Sequence, residues 1–318
     1  MADTAPYAST LAADAAHVTE VAAIASWEQI GRGDEQAADQ LAVDAMRNAL
    51  NRLDIDGRIV IGEGERDEAP MLYIGERVGT GRGPAIDIAL DPLEGTTLTA
   101  KAMPNALTVL AMSPGGGLLH APDTYMDKIA IGPGYAPGVV DLDMSPQDNV
   151  RALAVAKGVK PGEITVCIMD RPRHAALIVA LREVGARIMM ISDGDVAGVI
   201  HTAEPETGID LYLGSGGAPE GVLAAAALKC VGGHFQGRLL FRTDDERRRA
   251  ERIGVTDLDR KYDLHELVSK DAVFAATGVT KGALLDGVRF HRGFVTTHTL
   301  LMDSSDRSVR RIRTTRPV

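Results

Sequence analysis

The run Ala85-Ile-Asp-Ile-Ala-Leu-Asp-Pro-Leu-Glu-Gly-Thr-Thr97 constrains this chain more than any other stretch. Ile86, Ile88 and Leu90 alternate as a half-buried strand requires. Pro92 removes an amide donor, which predicts that the strand ends at Leu90, and Gly95 permits a sharp turn. Asp91, Glu94 and the Thr96 hydroxyl are thereby confined to one turn at a strand's C-terminal end. Hard divalent cations take oxygen ligands from a few carboxylates and complete their shell with water and substrate phosphate, so this turn fits the start of a metal site. The same turn standing alone also suits ordinary capping, so acids elsewhere must decide.

The chain has 318 residues, 45% of them hydrophobic, enough for two domains or one of several layers. Aromatic residues make up only 4%, so the core must be mostly Ala, Val, Leu and Ile. With a net charge of −10 and no long basic run, the chain lacks a nucleic-acid footprint. The Arg247–Arg249 and Arg307–Arg316 clusters are interleaved with acids, Thr and Ser, as solvated faces or subunit contacts are. Cys167 and Cys230 sit in apolar surroundings and fit buried thiols of a reducing compartment. The N-terminus lacks a signal-peptide pattern, and no window approaches the length of a membrane span. The expected location is cytoplasmic, with no membrane or nucleic-acid partner.

Val18, Val21, Ala22 and Ala25 predict one helix, and Leu41, Ala45, Met46, Ala49, Leu50 and Leu53 a second one capped by Asp34, with Asp39 beside its apolar face. A strand over 58–61 breaks into Gly62-Glu63-Gly64-Glu65-Arg66-Asp67-Glu68, a second loop of acids between glycines. Residues 105–112 and 118–119 predict a hairpin across 113–117, and 128–131 a further strand. Residues 1–150 therefore read as an α+β domain with a mostly antiparallel sheet. Residues 151–318 read as an α/β domain, because strands over 164–169, 187–191 and 209–213 each lead through a polar loop into a helix. Open α/β sheets collect ligands at such loops. Strands over 272–276 and 288–302 are expected to complete this second sheet.

Asp39, Glu63, Asp91, Glu94 and Glu220 all lie in loops or helix starts near strand ends. If they converge, their repulsion raises their pKa values unless cations compensate. Two metals roughly 3.5–4 Å apart are the usual solution, and they suit in-line displacement at phosphorus. Arg171 and Arg173 form a fork suited to phosphate, Asp193 and Asp195 are acceptors for sugar hydroxyls, and Tyr125 suits either partner. The amides of Gly216, Gly217 and Ala218 precede a helix, where anions bind. His174, His201, His234 and His298 lack the spacing of a zinc helix, and no nucleophile elbow is present.

Four motifs carry a resemblance: Asp91-Pro-Leu-Glu-Gly-Thr96; Ile59-Val-Ile-Gly-Glu-Gly-Glu-Arg-Asp67 with Ala69-Pro-Met-Leu-Tyr-Ile-Gly75; Ser192-Asp-Gly-Asp-Val196; and Gly216-Gly-Ala-Pro-Glu-Gly221. Together they resemble the class II (GlpX-type) fructose-1,6-bisphosphatase family of bacteria over nearly the whole chain. Asp91 to Thr96 also resembles the D-P-x-D-G-T signature of the lithium-sensitive sugar phosphatase superfamily, with Glu94 in place of Asp.

The resemblance implies a layered α-β-α-β-α sugar phosphatase fold and dependence on Mg²⁺ or Mn²⁺. It places Asp39 and Glu63 on one ion, and Asp91, Glu94 and Glu220 on the other. It assigns substrate contacts to Glu94, Gly95, Thr96, Tyr125, Arg171, Pro172, Arg173, Asp193, Gly194, Asp195 and Gly217. Thr96 would orient and deprotonate the attacking water, with Asp67 as its partner. The implied reaction is hydrolysis of the 1-phosphate of fructose 1,6-bisphosphate by a homodimer or homotetramer, and some relatives also cleave sedoheptulose 1,7-bisphosphate. A phosphosugar sensor that binds without hydrolysis is the alternative of another class. Inositol monophosphatase activity is disfavoured, because Arg171 and Arg173 fit a second phosphate. One departure stands at Glu35, where many relatives carry Lys.

Overall fold

The computed structural model describes residues 5–64 and 71–318. The chain separates into two compact units, Met1–Leu119 with Val268–Val318, and His120–Leu267. This division differs from a boundary at residue 150, because the strand beginning at Tyr125 pairs into the second sheet and the last strands return to the first.

In the first unit, α1 (Ala5–Trp27) and α2 (Glu35–Leu50) lead to β1 (Asp56–Ile61), β2 (Arg77–Val78), β3 (Ala85–Glu94), α3 (Thr96–Ala100) and β4 (Leu107–Pro114). Asp34 caps α2 by accepting the Ala37 amide at 2.9 Å. Glu35 occupies the exposed first turn, where a negative charge suits the helix dipole and a Lys would not.

The second unit contains β5 (Tyr125–Ile131), α4 (Pro146–Lys157), β6 (Thr165–Met169), α5 (Ala175–Glu183), β7 (Arg187–Ile191) and α6 (Asp195–Ile200). It continues with β8 (Leu211–Gly217), α7 (Ala218–Val231), β9 (His234–Leu240), α8 (Asp244–Arg252), β10 (Lys261–Asp263) and α9 (Leu264–Leu267). The chain then returns to the first unit with β11 (Val273–Gly278), β12 (Arg289–His291), β13 (Phe294–Asp303) and β14 (Ser308–Pro317).

The first sheet runs β12-β13-β11-β4-β3-β1-β2, with β14 on β13, and among the described residues its only parallel pair is β1 with β3. The mostly antiparallel α+β character expected of the N-terminal half is therefore present, and the closing strands belong to this sheet rather than to the second. Residues 118–119 form no hairpin arm; Leu118 makes an isolated bridge to Val268, while β4 pairs with β3 and β11. The strand over Ala85 also continues past Leu90. Pro92 sits inside a register shift between Asp91 and Glu94, so its missing donor is absorbed by the bulge instead of ending the strand.

Leu50, Met46, Val18 and Ala22 of α1 and α2 pack against Ile88, Leu90, Leu110 and Ala275 of this sheet, an aliphatic core of the kind the composition required. Thr19 on α1 is tied to the sheet by Thr108 and Thr277, each at 2.8 Å.

The second sheet runs β10-β9-β5-β8-β6-β7. Strands β7, β6 and β8 are parallel and the others antiparallel, so the strand-helix rhythm of the sequence holds for that portion. Parallel strands align their C-terminal ends, which collects the loops after β6, β7 and β8 at one edge. Tyr125 joins them because β5 runs the other way, and its first residue lies opposite Gly217. Among the described residues no helix is long and apolar enough to cross a membrane.

Candidate active site

In the first unit the expected ligands stand on α2, on the loop after β1 and on the bulged end of β3. Asp39 lies in the second turn of α2, and Glu63 follows β1 with its amide bonded to the Leu72 carbonyl at 3.1 Å. Burial pushes Glu63 up to about 8, helped by the negative charge of Asp39, and burial raises Asp39 as well. Two half-buried carboxylates that resist ionisation beside each other form a donor set that a hard divalent cation satisfies.

This pairing predicts a pH dependence. Glu63 holds its proton in the folded chain up to about pH 8 but loses it near 4.5 when unfolded. The folded state thus binds more protons across that window, and stability falls as pH rises through it. Metal-stripped protein is expected to unfold at lower urea at pH 8 than at pH 5.5, with the difference reduced in Glu63→Gln. Added divalent metal at pH 8 should restore the midpoint.

Asp91 Oδ1 accepts the Leu93 amide at 3.0 Å, which holds the bulge, and Glu94 is buried at 6% exposure. Gly95 adopts φ 92°, and a Cβ there would lie 2.8 Å from Leu98 Cδ1, so glycine is required to turn the chain into α3. Thr96 opens α3 directly after this turn. Asp67 lies outside the described residues.

In the second unit the polar edge is interlocked. Lys128 is fully buried, and its ammonium contacts Asp195 Oδ2 at 2.5 Å, with Asp195 itself 6% exposed. Asp195 is therefore engaged inside the unit, whereas Asp193 is partly exposed and lies 3.5 Å from Arg171. Gly194 takes φ 83° between them as the N-cap of α6. Glu220 lies in the first turn of α7, and its Oε2 is buried without a hydrogen-bond partner among the described residues. Burial raises its pKa, and the charge of Asp195 adds to this while Lys128 opposes it. A buried, unsatisfied carboxylate oxygen is what a cation ligand looks like without its cation.

Gly216 and Gly217 allow this crowding. A Cβ on Gly216 would stand 2.1 Å from Asp195 Oδ2, and one on Gly217 would stand 1.9 Å from Glu220 Oε2. Gly217→Ala should displace the Glu220 carboxylate, which ends a flexible side chain, and leave the fold intact. The expected result is a loss of turnover of about tenfold or more at an unchanged thermal midpoint, since misplacement by ~1 Å costs on that scale or above.

Arg173 bonds Ser215 through Nε to the hydroxyl at 3.1 Å and through Nη2 to the carbonyl at 2.7 Å. Pro172 opens the short 3₁₀ turn after β6 that separates it from Arg171. His174 is buried and its pKa is lowered by burial, which keeps the ring neutral. Its Nδ1 donates to the Met169 carbonyl at 2.7 Å, and its Nε2 accepts the Ser215 amide at 2.9 Å, so it braces β6 against β8. The sequence alone does not single out Ser215 or Arg242, and it offers Lys128 only as a substitute for the cation missing at Glu35, not as the buried partner of Asp195. Lys128 at the head of the apolar run Ile129-Ala-Ile131 is a legible sign of a buried charge needing a partner.

Each unit thus carries oxygen-rich acids suited to divalent metal, and the second adds arginines. Among the described residues no three His, Cys, Asp or Glu side chains gather into a closed metal cage. Residues 9–316 match the family described as bacterial fructose-1,6-bisphosphatase, glpX-encoded. The chain belongs to this family. It is 47% identical over 316 residues to fructose-1,6-bisphosphatase 1 class 2 of Escherichia coli K12, covering 95% of this chain and 94% of that protein. It is 46% identical over 322 residues to D-fructose 1,6-bisphosphatase class 2/sedoheptulose 1,7-bisphosphatase of Synechococcus sp. (strain JA-3-3Ab), covering 93% and 92%. A solved inositol monophosphatase from Anabaena (Nostoc) sp. PCC 7120 aligns at a TM-score of 0.32 and 12% identity over 61% of this chain and 71% of that one. Membership in the glpX-encoded family implies dependence on a divalent metal.

Proposed function

We propose that this chain hydrolyses the 1-phosphate of D-fructose 1,6-bisphosphate, releasing fructose 6-phosphate and inorganic phosphate, with Mg²⁺ or Mn²⁺. The supporting observation is the family match across residues 9–316. Asp39 and Glu63 are assigned to one ion, and Asp91, Glu94 and Glu220 to the other. When bound, the metal polarises phosphoryl oxygens and lowers the pKa of water.

The protein's own groups do the rest. Thr96, fixed at the start of α3 by the turn at Gly95, is assigned to orient the attacking water and pass on its proton, with Asp67 as partner. Gly217, whose lack of a side chain leaves room beside Glu220, and Gly95 bring backbone close to substrate. Arg171 and Arg173 hold phosphate, with Pro172 fixing their spacing. Asp193 is the carboxylate available to sugar hydroxyls, whereas Asp195 acts through its position beside Lys128. No covalent phosphoenzyme is needed. Phosphorus NMR of the products tests the regiochemistry: fructose 6-phosphate is expected, and fructose 1-phosphate would overturn the assignment.

A second substrate, sedoheptulose 1,7-bisphosphate, is favoured by the 46% identity to the Synechococcus protein named for both sugars. Both sugars present the same reacting end, and their turnover ratio decides. The buried thiols Cys167, its pKa pushed up to about 12 by burial, and Cys230 form no disulfide and fit a cytoplasmic site of action. A homodimer or homotetramer is the proposed assembly, and gel filtration with light scattering tests it.

A further inference from the structure

Two guanidinium groups lie against one aromatic ring at the polar edge of the second unit. The Arg242 guanidinium carbon is 4.3 Å from the Tyr125 ring centroid, and that of Arg173 is 4.9 Å from it. Their separation is therefore capped at about 9.2 Å. The sheet register produces this meeting: Tyr125 pairs with Leu240 at the end of β9, two residues before Arg242, and with Gly217 on β8.

Both arginines are anchored by the same side of the fork. Arg173 uses Nε and Nη2 on Ser215, and Arg242 uses Nε and Nη2 on Glu246 Oε1, at 3.3 and 3.0 Å. Glu246 is itself fixed. It is only 6% exposed, its Oε2 accepts the Arg242 amide at 2.6 Å, and its own amide is capped by Thr243 at 3.2 Å. The first turn of α8 thus orients Arg242, whose side chain remains 63% exposed. In both residues Nη1 lies outside the anchor, and like charges held this near one another favour an anion between them.

We infer that Arg242 is a further specificity-determining residue, clamping together with Arg173 the phosphate of the sugar bisphosphate that is not hydrolysed, over the Tyr125 ring. This rests on the proposed bisphosphatase activity. A pair of pre-oriented forks recognises a dianionic phosphate in preference to a hydroxyl, which is the difference between a sugar bisphosphate and its monophosphate counterpart.

The test compares wild type, Arg242→Gln and Arg242→Lys. Calorimetry reads the binding of fructose 6-phosphate, which carries only the unreactive phosphate, and kinetics read fructose 1,6-bisphosphate. Arg242→Gln should weaken fructose 6-phosphate binding and raise KM about tenfold or more, as loss of charge-assisted hydrogen bonds implies, with kcat within about threefold. Arg242→Lys, which keeps a cation for Glu246, should fall between the two and guard against a folding defect. Unchanged fructose 6-phosphate affinity in both variants, or a loss confined to kcat, would overturn the inference. Absence of phosphate release by wild type would instead overturn the bisphosphatase activity, and the calorimetric arm would still report on Arg242.

Discussion

Asp91→Asn is expected to lower turnover of fructose 1,6-bisphosphate by at least about three orders of magnitude while leaving the fold intact. The substitution preserves shape and keeps an acceptor for the Leu93 amide, now 3.0 Å from Oδ1, so the bulge that aims Glu94 survives. Only the negative charge is lost. Charge stabilisation by a bound metal contributes several kcal/mol to a phosphoryl-transfer transition state, and each 1.36 kcal/mol is about tenfold in rate. Glu220→Gln should behave alike, since its buried Oε2 exchanges one polar group for another of the same size. Steady-state kinetics beside circular dichroism separate loss of chemistry from loss of structure. Near-normal turnover in either variant would refute the ligand assignment.

Lys128→Met carries the second large effect, on stability. Its ammonium is fully buried against Asp195, and removing one member strands the other charge in the interior, at a cost of about 3–5 kcal/mol. The loss should appear as a lowered urea midpoint. Lys128→Met combined with Asp195→Asn should recover much of it, because the Asp195 charge no longer stands uncompensated. A double-mutant cycle with no coupling between the two positions would show that the pair contributes nothing.

The elements legible in the sequence were those with a local cause. Asp34 capping α2, the alternation of Ile86, Ile88 and Leu90, and the polar loops after β6, β7 and β8 each follow from neighbouring residues alone. The features without a local cause depend on pairing between distant strands. Pro92 alone predicts a strand end, but pairing of Asp91 and Glu94 with β4 absorbs it as a bulge. Sequence order alone predicts β11 and β13 in the second sheet, which they follow, whereas Phe274 pairs with Ala111 and returns the chain to the first.

The site shows the same division. Acids between glycines announced themselves, but Arg242 did not, since it gains meaning only through the register that sets Leu240 opposite Tyr125. Its anchor was nevertheless readable, because Thr243-Asp-Asp-Glu246 carries the spacing of a capping box. Asp195 resembled a ligand contact, and only the fold reveals that Lys128 holds it.

Metal-dependent hydrolysis is tested most directly by phosphate release from fructose 1,6-bisphosphate by metal-stripped protein, titrated separately with Mg²⁺ and Mn²⁺. No release is expected before addition, and saturable release is expected with at least one of the ions. Release that persists in the presence of a strong chelator, or none with either ion while fructose 1,6-bisphosphate still binds, would contradict it.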